Sequence, residues 1–418
     1  MIMKTIKFLP AILIISTSAI YGQQLIQYYQ NETIRLEEVS EFGAMNNWND
    51  LFSDYNDQWM GHDIGKNKHI VVAPDGSIFM SHHTTYAIWK FNKEGRLIKK
   101  FGEKGNGRGQ FIMRAMVEGI LDGKYLYTTD AQGRMMFFDL DGNFVKSLKL
   151  DYGPLHTVPL NNLKIAIFGS VPWRNNQTRN IISIKDFETG NEKIIWDEIH
   201  DPMLHKIELP EGRWMFFAMN IHYPSITRFG IAASSTGNLL VTSNKDGMVT
   251  EYSPDGKMIR EFPLNIKPVE VTEADIRRKH QESIDDFNQF RENDTLWRRL
   301  TDEKIDAIRS EYEMALESKL EKIKAGTHLP FYSTVIVDSD GNILVFEFTE
   351  EEGANSFRAY SYDNEGELIG VSSFTADEYE LTFTSDKFVF FNGYIFAVAT
   401  KKDASGVPLR LVKFSLTR

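Results

Sequence analysis

The chain has 418 residues, 42% hydrophobic and 25% charged, a balance that belongs to globular rather than disordered proteins. A formal charge of -11 argues against the clustered basic footprint that neutralises nucleic-acid phosphates. Without Cys there can be no disulfide, no Cys-ligated zinc, no thiol catalysis and no lipid-modified Cys of the bacterial lipoprotein kind, so strand pairing and core burial must hold the fold.

Residues 1–22 read as an export signal: Lys4 and Lys7 give a basic start, Phe8 to Ile20 an apolar run, and Ser18, Ala19 and Gly22 the small residues before cleavage. The run is shorter than the about 20 apolar residues a bilayer span needs, and no later segment is long and apolar enough. Cleavage after Gly22 or Ala19 is expected, which gives a periplasmic or secreted mature chain with no transmembrane helix.

From His69 onward one phrase recurs: an apolar strand, an acidic or polar residue followed by Gly, and another apolar strand. It reads HIVVAPDGSIFM from His69, AIWKFNKEGRLIKKFG from Ala87, MMFFDLDGNFVKSLKL from Met135 and IAASSTGNLLVTS from Ile231. It returns as TEYSPDGKMIREF from Thr250, TVIVDSDGNILVFEF from Thr334 and AYSYDNEGELIGV from Ala359. Gly suits these turns because a tight hairpin needs positive φ, which Gly adopts without a Cβ clash. A single hairpin cannot bury its apolar face alone, so repeated pairs of hairpins imply stacked or radial four-stranded units, the blades of a propeller. Units starting near His69, Met113, His156, Arg228, Tyr332 and Thr382 make six, the third turning through Glu188-Thr189-Gly190-Asn191. The last supplies three strands, Lys387 to Phe391, Tyr394 to Thr400 and Leu409 to Ser415. TIRLEEVSEF, Thr33 to Phe42, resembles the fourth strands of other units and is expected to complete the last blade, closing the ring and removing exposed sheet edges.

FGEKGNGRGQF, Phe101 to Phe111, resembles the Gly-rich connection between blades in NHL-repeat and related six-bladed β-propellers of exported bacterial proteins, and VDSDGNILV, Val337 to Val345, resembles their first hairpin. The resemblance implies an all-β six-bladed propeller over residues 33–418. The Pro that commonly follows the connection in NHL repeats is replaced by Ile112, Met113 and Arg114, and no family active site transfers.

Between units four and five the period changes. Thr272 opens a helix with Asp275 in capping-box position, followed by Ile276, Ile284, Phe287 and Phe290. A second helix runs from about Asp302 to Lys324, with Ile305, Ile308, Tyr312, Leu316, Leu320 and Ile323 on one stripe and Gly326 as its stop. Residues 272–326 are thus an inserted amphipathic helical pair, either a brace on the ring or a lid or partner-binding arm. The insertion leaves the ring by a connection from a fourth strand to the next first strand, on the same face as the loops between second and third strands.

That face collects the candidate ligand-binding residues: His82, His83, Arg114, Asp130, Arg134, Arg174 beside Pro172 and Trp173, His222, Tyr223, Arg228, Asn244 and Lys245, His328, Tyr332 and Arg358. Arg beside aromatics suits carboxylate, phosphate or sugar ligands through fork-shaped hydrogen bonds and stacking. The bland alternative is that they are solvated loop positions and strand-end pairs. His83, His222 and His328 come from different units and could meet at a central channel, as in propeller lyases that hold zinc through His, but no pair has metal-helix spacing.

Other motifs dissolve on inspection. DLDGN at Asp139 and DSDGN at Asp338 begin like calcium loops, yet position twelve is Leu150 or Thr349 rather than Glu, and strands flank both. The Gly-rich 101–111 segment opens no helix, and no G-x-S-x-G elbow exists. No motif requires a cofactor. The expected function is an exported module that binds or scaffolds a protein, peptide or glycan through its loop-rich face. The alternatives are a metal-dependent lyase or hydrolase in the central channel, or a surface receptor component.

Overall fold

The structure is a computed structural model. It describes residues 25–52, 69–82, 86–112, 115–130, 133–172, 178–200, 204–208, 214–218, 229–244, 246–293, 300–320, 328, 331–348, 356–381 and 387–418.

Six four-stranded blades make up the ring, the first four as separate antiparallel sheets and the last two joined edge to edge. Blade 1 is Ile70–Val72, Ile78–His82, Ala87–Phe91 and Leu97–Phe101. Blade 2 is Ala115–Leu121, Tyr125–Asp130, Arg134–Asp139 and Phe144–Lys149. Blade 3 is Gly153–Leu160, Lys164–Pro172, Thr178–Asp186 and Glu192–His200, and blade 4 is Phe229–Ala233, Leu239–Ser243, Met248–Tyr252 and Met258–Pro263. Blade 5 is Tyr332–Val337, Ile343–Glu347, Ser356–Tyr362 and Leu368–Thr375. Blade 6 takes Phe388–Phe391, Tyr394–Lys401 and Leu409–Thr417 from the end of the chain, and its outermost strand is Thr33–Glu38 from the start. The chain is a six-bladed β-propeller.

The turns hold their shape through the polar residue that opens them. Asp139 Oδ1 accepts the amides of Asp141 and Asn143, and Asp338 Oδ1 those of Asp340 and Asn342. Gly142 and Gly341 sit at φ +82° and +90°, where a side chain would be strained. The carboxylates that looked like the start of calcium loops therefore cap their own hairpins.

Alternation along each strand sends apolar side chains to both faces of a blade, so every blade shares a core with each neighbour. Among the described residues, a separate buried cluster fills each of the six junctions. Phe79, Ile88, Val117 and Met136 join blades 1 and 2, and Tyr127, Phe137, Ile165 and Ile181 join blades 2 and 3. Ile167 also lies in the second of these clusters, while Ile182, Ile184, Leu239 and Val241 join blades 3 and 4. Leu240, Phe262, Val345 and Tyr362 join 4 and 5, Leu344, Phe374, Phe388 and Phe414 join 5 and 6, and Trp89, Met80, Val398 and Leu411 join 6 and 1. Removal of this apolar area from water, at about 25 cal/mol per Å², is what makes the ring cohere.

The junction of blades 5 and 6 carries an extra fastening. Thr33–Glu38 pairs antiparallel with Leu409–Thr417 and, over Thr33 to Arg35, parallel with Leu368–Thr375, so the two blades form one continuous sheet, in which the short strand Tyr379–Glu380, paired with Tyr394–Lys401, is the ninth. Just before it, a helical turn at 25–29 buries Leu25 and Tyr29. The Tyr29 hydroxyl donates to Asp338 Oδ2 at 2.7 Å, and Ser372 Oγ donates to the carbonyls of Tyr29 and Asn31 at 3.0 and 2.7 Å. Gly370 permits this approach, since a Cβ there would lie 2.3 Å from the Tyr29 carbonyl oxygen.

Two excursions leave the ring between blades. A hairpin, Leu204–Glu208 with Trp214–Ala218, rises between blades 3 and 4; nothing in the repeat pattern foresaw it. Between blades 4 and 5 stand helices α1 (Glu273–Asn293) and α2 (Asp302–Leu320). At the start of α1, Thr272 and Asp275 form the reciprocal capping box: Asp275 N donates to Thr272 Oγ1 at 3.2 Å and Thr272 N to Asp275 Oδ2 at 3.0 Å. Ile305, Ile308, Tyr312 and Leu316 of α2 are buried, and Tyr312 Oη donates to the Ser283 carbonyl of α1. The expected stop at Gly326 lies outside the described residues. Among the described residues no helix is long and apolar enough to cross a membrane.

Candidate functional site

The loop-rich face does not present all its candidates to solvent. Asp130, at the end of the second strand of blade 2, is fully buried. Its carboxylate accepts Arg134 N at 3.1 Å, Arg134 Nε at 2.8 Å and Arg134 Nη2 at 2.8 Å, and the same guanidinium donates to the Gln110 carbonyl at 3.2 Å. This pair locks the loop between strands two and three onto the Gly-rich 101–111 connection, and its fork is engaged inside the protein.

Tyr332 differs likewise from a surface position. It is 1% exposed, its hydroxyl accepts the Gly230 amide at 2.9 Å, and burial pushes its phenol well above the ordinary range. Asn244 clasps the same residue, its Oδ1 accepting Tyr332 N at 3.0 Å and its Nδ2 donating to Tyr332 O at 3.2 Å. Both residues fasten blade 4 to blade 5, because strand-end polar groups next to a packed junction must find internal partners.

His328 forms a backbone bridge with Glu270 that closes the base of the helical insertion, and its ring lies 4.5 Å from that of Phe331. Arg358 sits on the third strand of blade 5, 3.6 Å from Glu347 and over the Tyr360 ring at 5.5 Å, an exposed pair of little energetic weight. His82 ends a strand of blade 1, backbone-paired with Ala87. His83, Arg114, Trp173, Arg174, His222, Tyr223, Arg228 and Lys245 lie outside the described residues. Among the described residues no three His, Asp or Glu gather in metal-holding geometry.

The structure brings together a different set in the middle of the ring. The inner strands of all six blades enclose a channel of about 310 Å³, lined by residues 70–72, 118–120, 156–159, 231–233, 335–337 and 388–390. Among the described residues, the lining is Val, Ile, Ala, Pro, Phe and Gly except at Glu118, His156 and Thr157. Glu118 is the extra residue of a bulge, since Val117 pairs with Thr128 and Gly119 with Tyr127. The bulge leaves its side chain on the same side as Gly119, toward the junction of blades 2 and 3 where Tyr127 and Thr157 lie. The carboxylate accepts Thr129 Oγ1 at 2.6 Å and Thr157 Oγ1 at 3.0 Å, and the latter lies 3.3 Å from the Tyr127 hydroxyl. Burial raises the Tyr127 phenol far above its ordinary value, so it stays neutral. Gly119 makes room for that ring, because a Cβ would come within 2.7 Å of it.

Sequence reasoning missed Glu118. The available signal was an acid in MVEGIL, at the inner strand of a unit whose counterparts, IVV at Ile70 and TVIV at Thr334, carry none.

A family model described as a 6-bladed beta-propeller, DUF5128, matches residues 63–206. A crystal structure of a DUF4221 family member from Bacteroides vulgatus is similar at 10% identity and TM-score 0.49, over 93% of this chain and 99% of that one. A catalytically inactive virginiamycin B lyase from Staphylococcus aureus, in a structure with quinupristin, is similar at 11% identity and TM-score 0.40, over 92% of this chain and 100% of that one. No curated protein matches the chain in sequence.

Proposed function

We propose that this is an exported six-bladed propeller that binds a protein, peptide or glycan through the face bearing its two excursions. The observation that carries the reading is the contact between α2 and the strand Leu204–Glu208. Two additions, from consecutive fourth-to-first connections, meet over one sector of the ring. A ring needs neither for its closure, and loops on a rigid scaffold are where binding residues concentrate. Arg358, Arg174 and the His222-Tyr223 pair are the proposed contact residues.

The reading predicts that replacing residues 272–326 by a short linker leaves a folded ring that has lost or altered its ligand recognition. The intact and deleted proteins would be compared on a glycan array and an arrayed peptide library, with thermal melting as the fold control. Identical binding by both proteins, or collapse of the ring on deletion, would make the helices a brace and overturn the proposal. Export is tested by the intact mass of periplasmic protein, expected to begin just after Ala19 or Gly22.

A further inference from the structure

We infer that a cleft between blades 4 and 5, on the face opposite the two excursions, is a binding site for a single neutral sugar ring. Its walls are the first turn of blade 4, Ser234 to Asn238, and both turns of blade 5, at Gly341 and at Asn364 with Glu365. In a meander, the turns from first to second and from third to fourth strands share one face, away from the connections that carry the excursions. The cleft holds about 240 Å³, below the about 300–1,000 Å³ of drug-sized sites, so it suits one ring rather than an oligomer.

The floor is built before any guest arrives. Glu251 is buried, and its carboxylate accepts Arg260 Nε at 2.6 Å and Asn238 Nδ2 at 2.8 Å. The same guanidinium reaches across the junction, Nη1 donating to the Glu365 carbonyl at 2.7 Å and Nη2 to the Asn364 carbonyl at 2.5 Å. Side chains held in this way lose little further entropy on binding. Each Nη still carries a second hydrogen. Asn238 Nδ2 donates to Glu251 and to Thr236 Oγ1, which fixes the orientation of the amide and leaves its Oδ1 to accept. Ser235 and Asn364 add an exposed hydroxyl and an exposed amide. Gly341 keeps the cleft open, because a Cβ there would lie 2.5 Å from Ser235 Oγ.

This mixture of donors and acceptors selects the guest. Adjacent sugar hydroxyls both donate and accept, and they meet a guanidinium fork, an amide and a hydroxyl in kind. An anion gains little, because among the described lining residues the single cation, Arg260, is already neutralised by Glu251, and Glu365 adds negative charge. An apolar guest finds Ile343 as the one aliphatic wall among those residues. The site lies on the other face from the excursions and does not rest on the loop-face reading.

The test uses the intact mature protein with methyl glucoside, methyl galactoside and methyl mannoside as probes, each beside its uronic-acid counterpart, followed by saturation-transfer NMR and calorimetry. At least one neutral glycoside should bind with Kd on the order of 1 mM, as a few net hydrogen bonds provide. Its acid should bind about two- to fivefold more weakly. Ser235→Trp, on an exposed turn, should fill the cleft and abolish binding. Arg260→Lys keeps a cation beside Glu251 but loses the fork, and should weaken binding about tenfold. Replacing residues 272–326 by a linker should leave the affinity unchanged. No binding of any neutral glycoside, an acid that binds more tightly than its neutral counterpart, or a Ser235→Trp protein that keeps wild-type affinity would each overturn the assignment. Binding lost on deletion of 272–326 but kept in Ser235→Trp would move the sugar to the loop face and overturn it too. The Ser235→Trp result decides even if Arg260→Lys does not fold.

Discussion

The N-terminal segment 25–38 and the helical insertion 273–320 are both additions to a ring built from hairpins, yet they are joined to it in opposite ways. The first has sheet partners on both edges, a buried Tyr29 hydroxyl on Asp338, and Ile34 and Leu36 inside the cluster shared by blades 5 and 6. The second has its own capping box, its own i,i+4 ion pairs such as Arg277–Glu273 and Arg309–Glu313, and a buried stripe facing its own partner helix. It meets the ring through the Glu270–His328 bridge and the contact with residues 204–208. One addition is built into the core shared by two blades, while the other carries its own local contacts, so the two should differ in how far they share the ring's unfolding.

Three substitutions distinguish the two additions. The largest effect is expected at Ile34, which is fully buried between two blades: Ile34→Ala should lower global stability by about 2–5 kcal/mol in urea unfolding, because it opens a cavity at the closure. A change within error there would mean that the ring does not depend on its N-terminal strand.

A smaller effect, of opposite sign, is expected beside the Tyr29 anchor. Burial, together with the neighbouring Asp338 charge, raises the Asp340 carboxyl from 3.8 to about 6, and its Oδ2 has no hydrogen-bond partner among the described residues. The folded state therefore holds a proton that the unfolded chain releases, so stability falls as pH rises from about 4 through about 6. Asp340→Asn should remove that loss. After allowance for solvent screening of a half-buried group, it should stabilise by about 1 kcal/mol near neutral pH and by nothing below pH ~4. A stability difference that stays constant across that window would count against the titration.

The smallest global effect is expected from Leu316→Ala in α2. Leu316 is as buried as Ile34, but its cavity should raise amide exchange in α1 and α2 without moving the ring's unfolding midpoint. A midpoint shift equal to that of Ile34→Ala would show that the helices belong to the same cooperative unit after all.

Where the chain states its structure locally, the sequence could be read. The hairpin turns, with Gly142 and Gly341 at positive φ, the six units and the Thr272–Asp275 cap each lie within a few residues of one another. What could not be read depends on partners far apart. Nothing near Thr33 marks its parallel pairing with Ser373, and Tyr29 gives no hint of Asp338. The 204–218 hairpin lacks the Asp-Gly phrase that marked the others. Asp130 and Tyr332 stand at the end and the start of strands, where the repeat pattern places a ligand face. A strand end beside a blade junction, however, has to satisfy its polar groups inward. Glu118 escaped notice because an acid in a seven-residue strand resembles an ordinary solvent-facing position until the ring bends that strand around an axis.

The double pairing of Thr33–Glu38 also sets a schedule for biosynthesis. Arg35 lies opposite Thr417, so this strand must wait for a partner translated much later. At about 5–20 residues per second that interval is on the order of tens of seconds. Throughout it the outer edge of blade 5, once made, and the free strand 33–38 remain exposed to any other chain that offers hydrogen bonds. Closure is a contact of maximal sequence separation, the slow step of such topologies. A holding chaperone that engages this chain should therefore bind the early strand and release it as Leu409–Thr417 arrives.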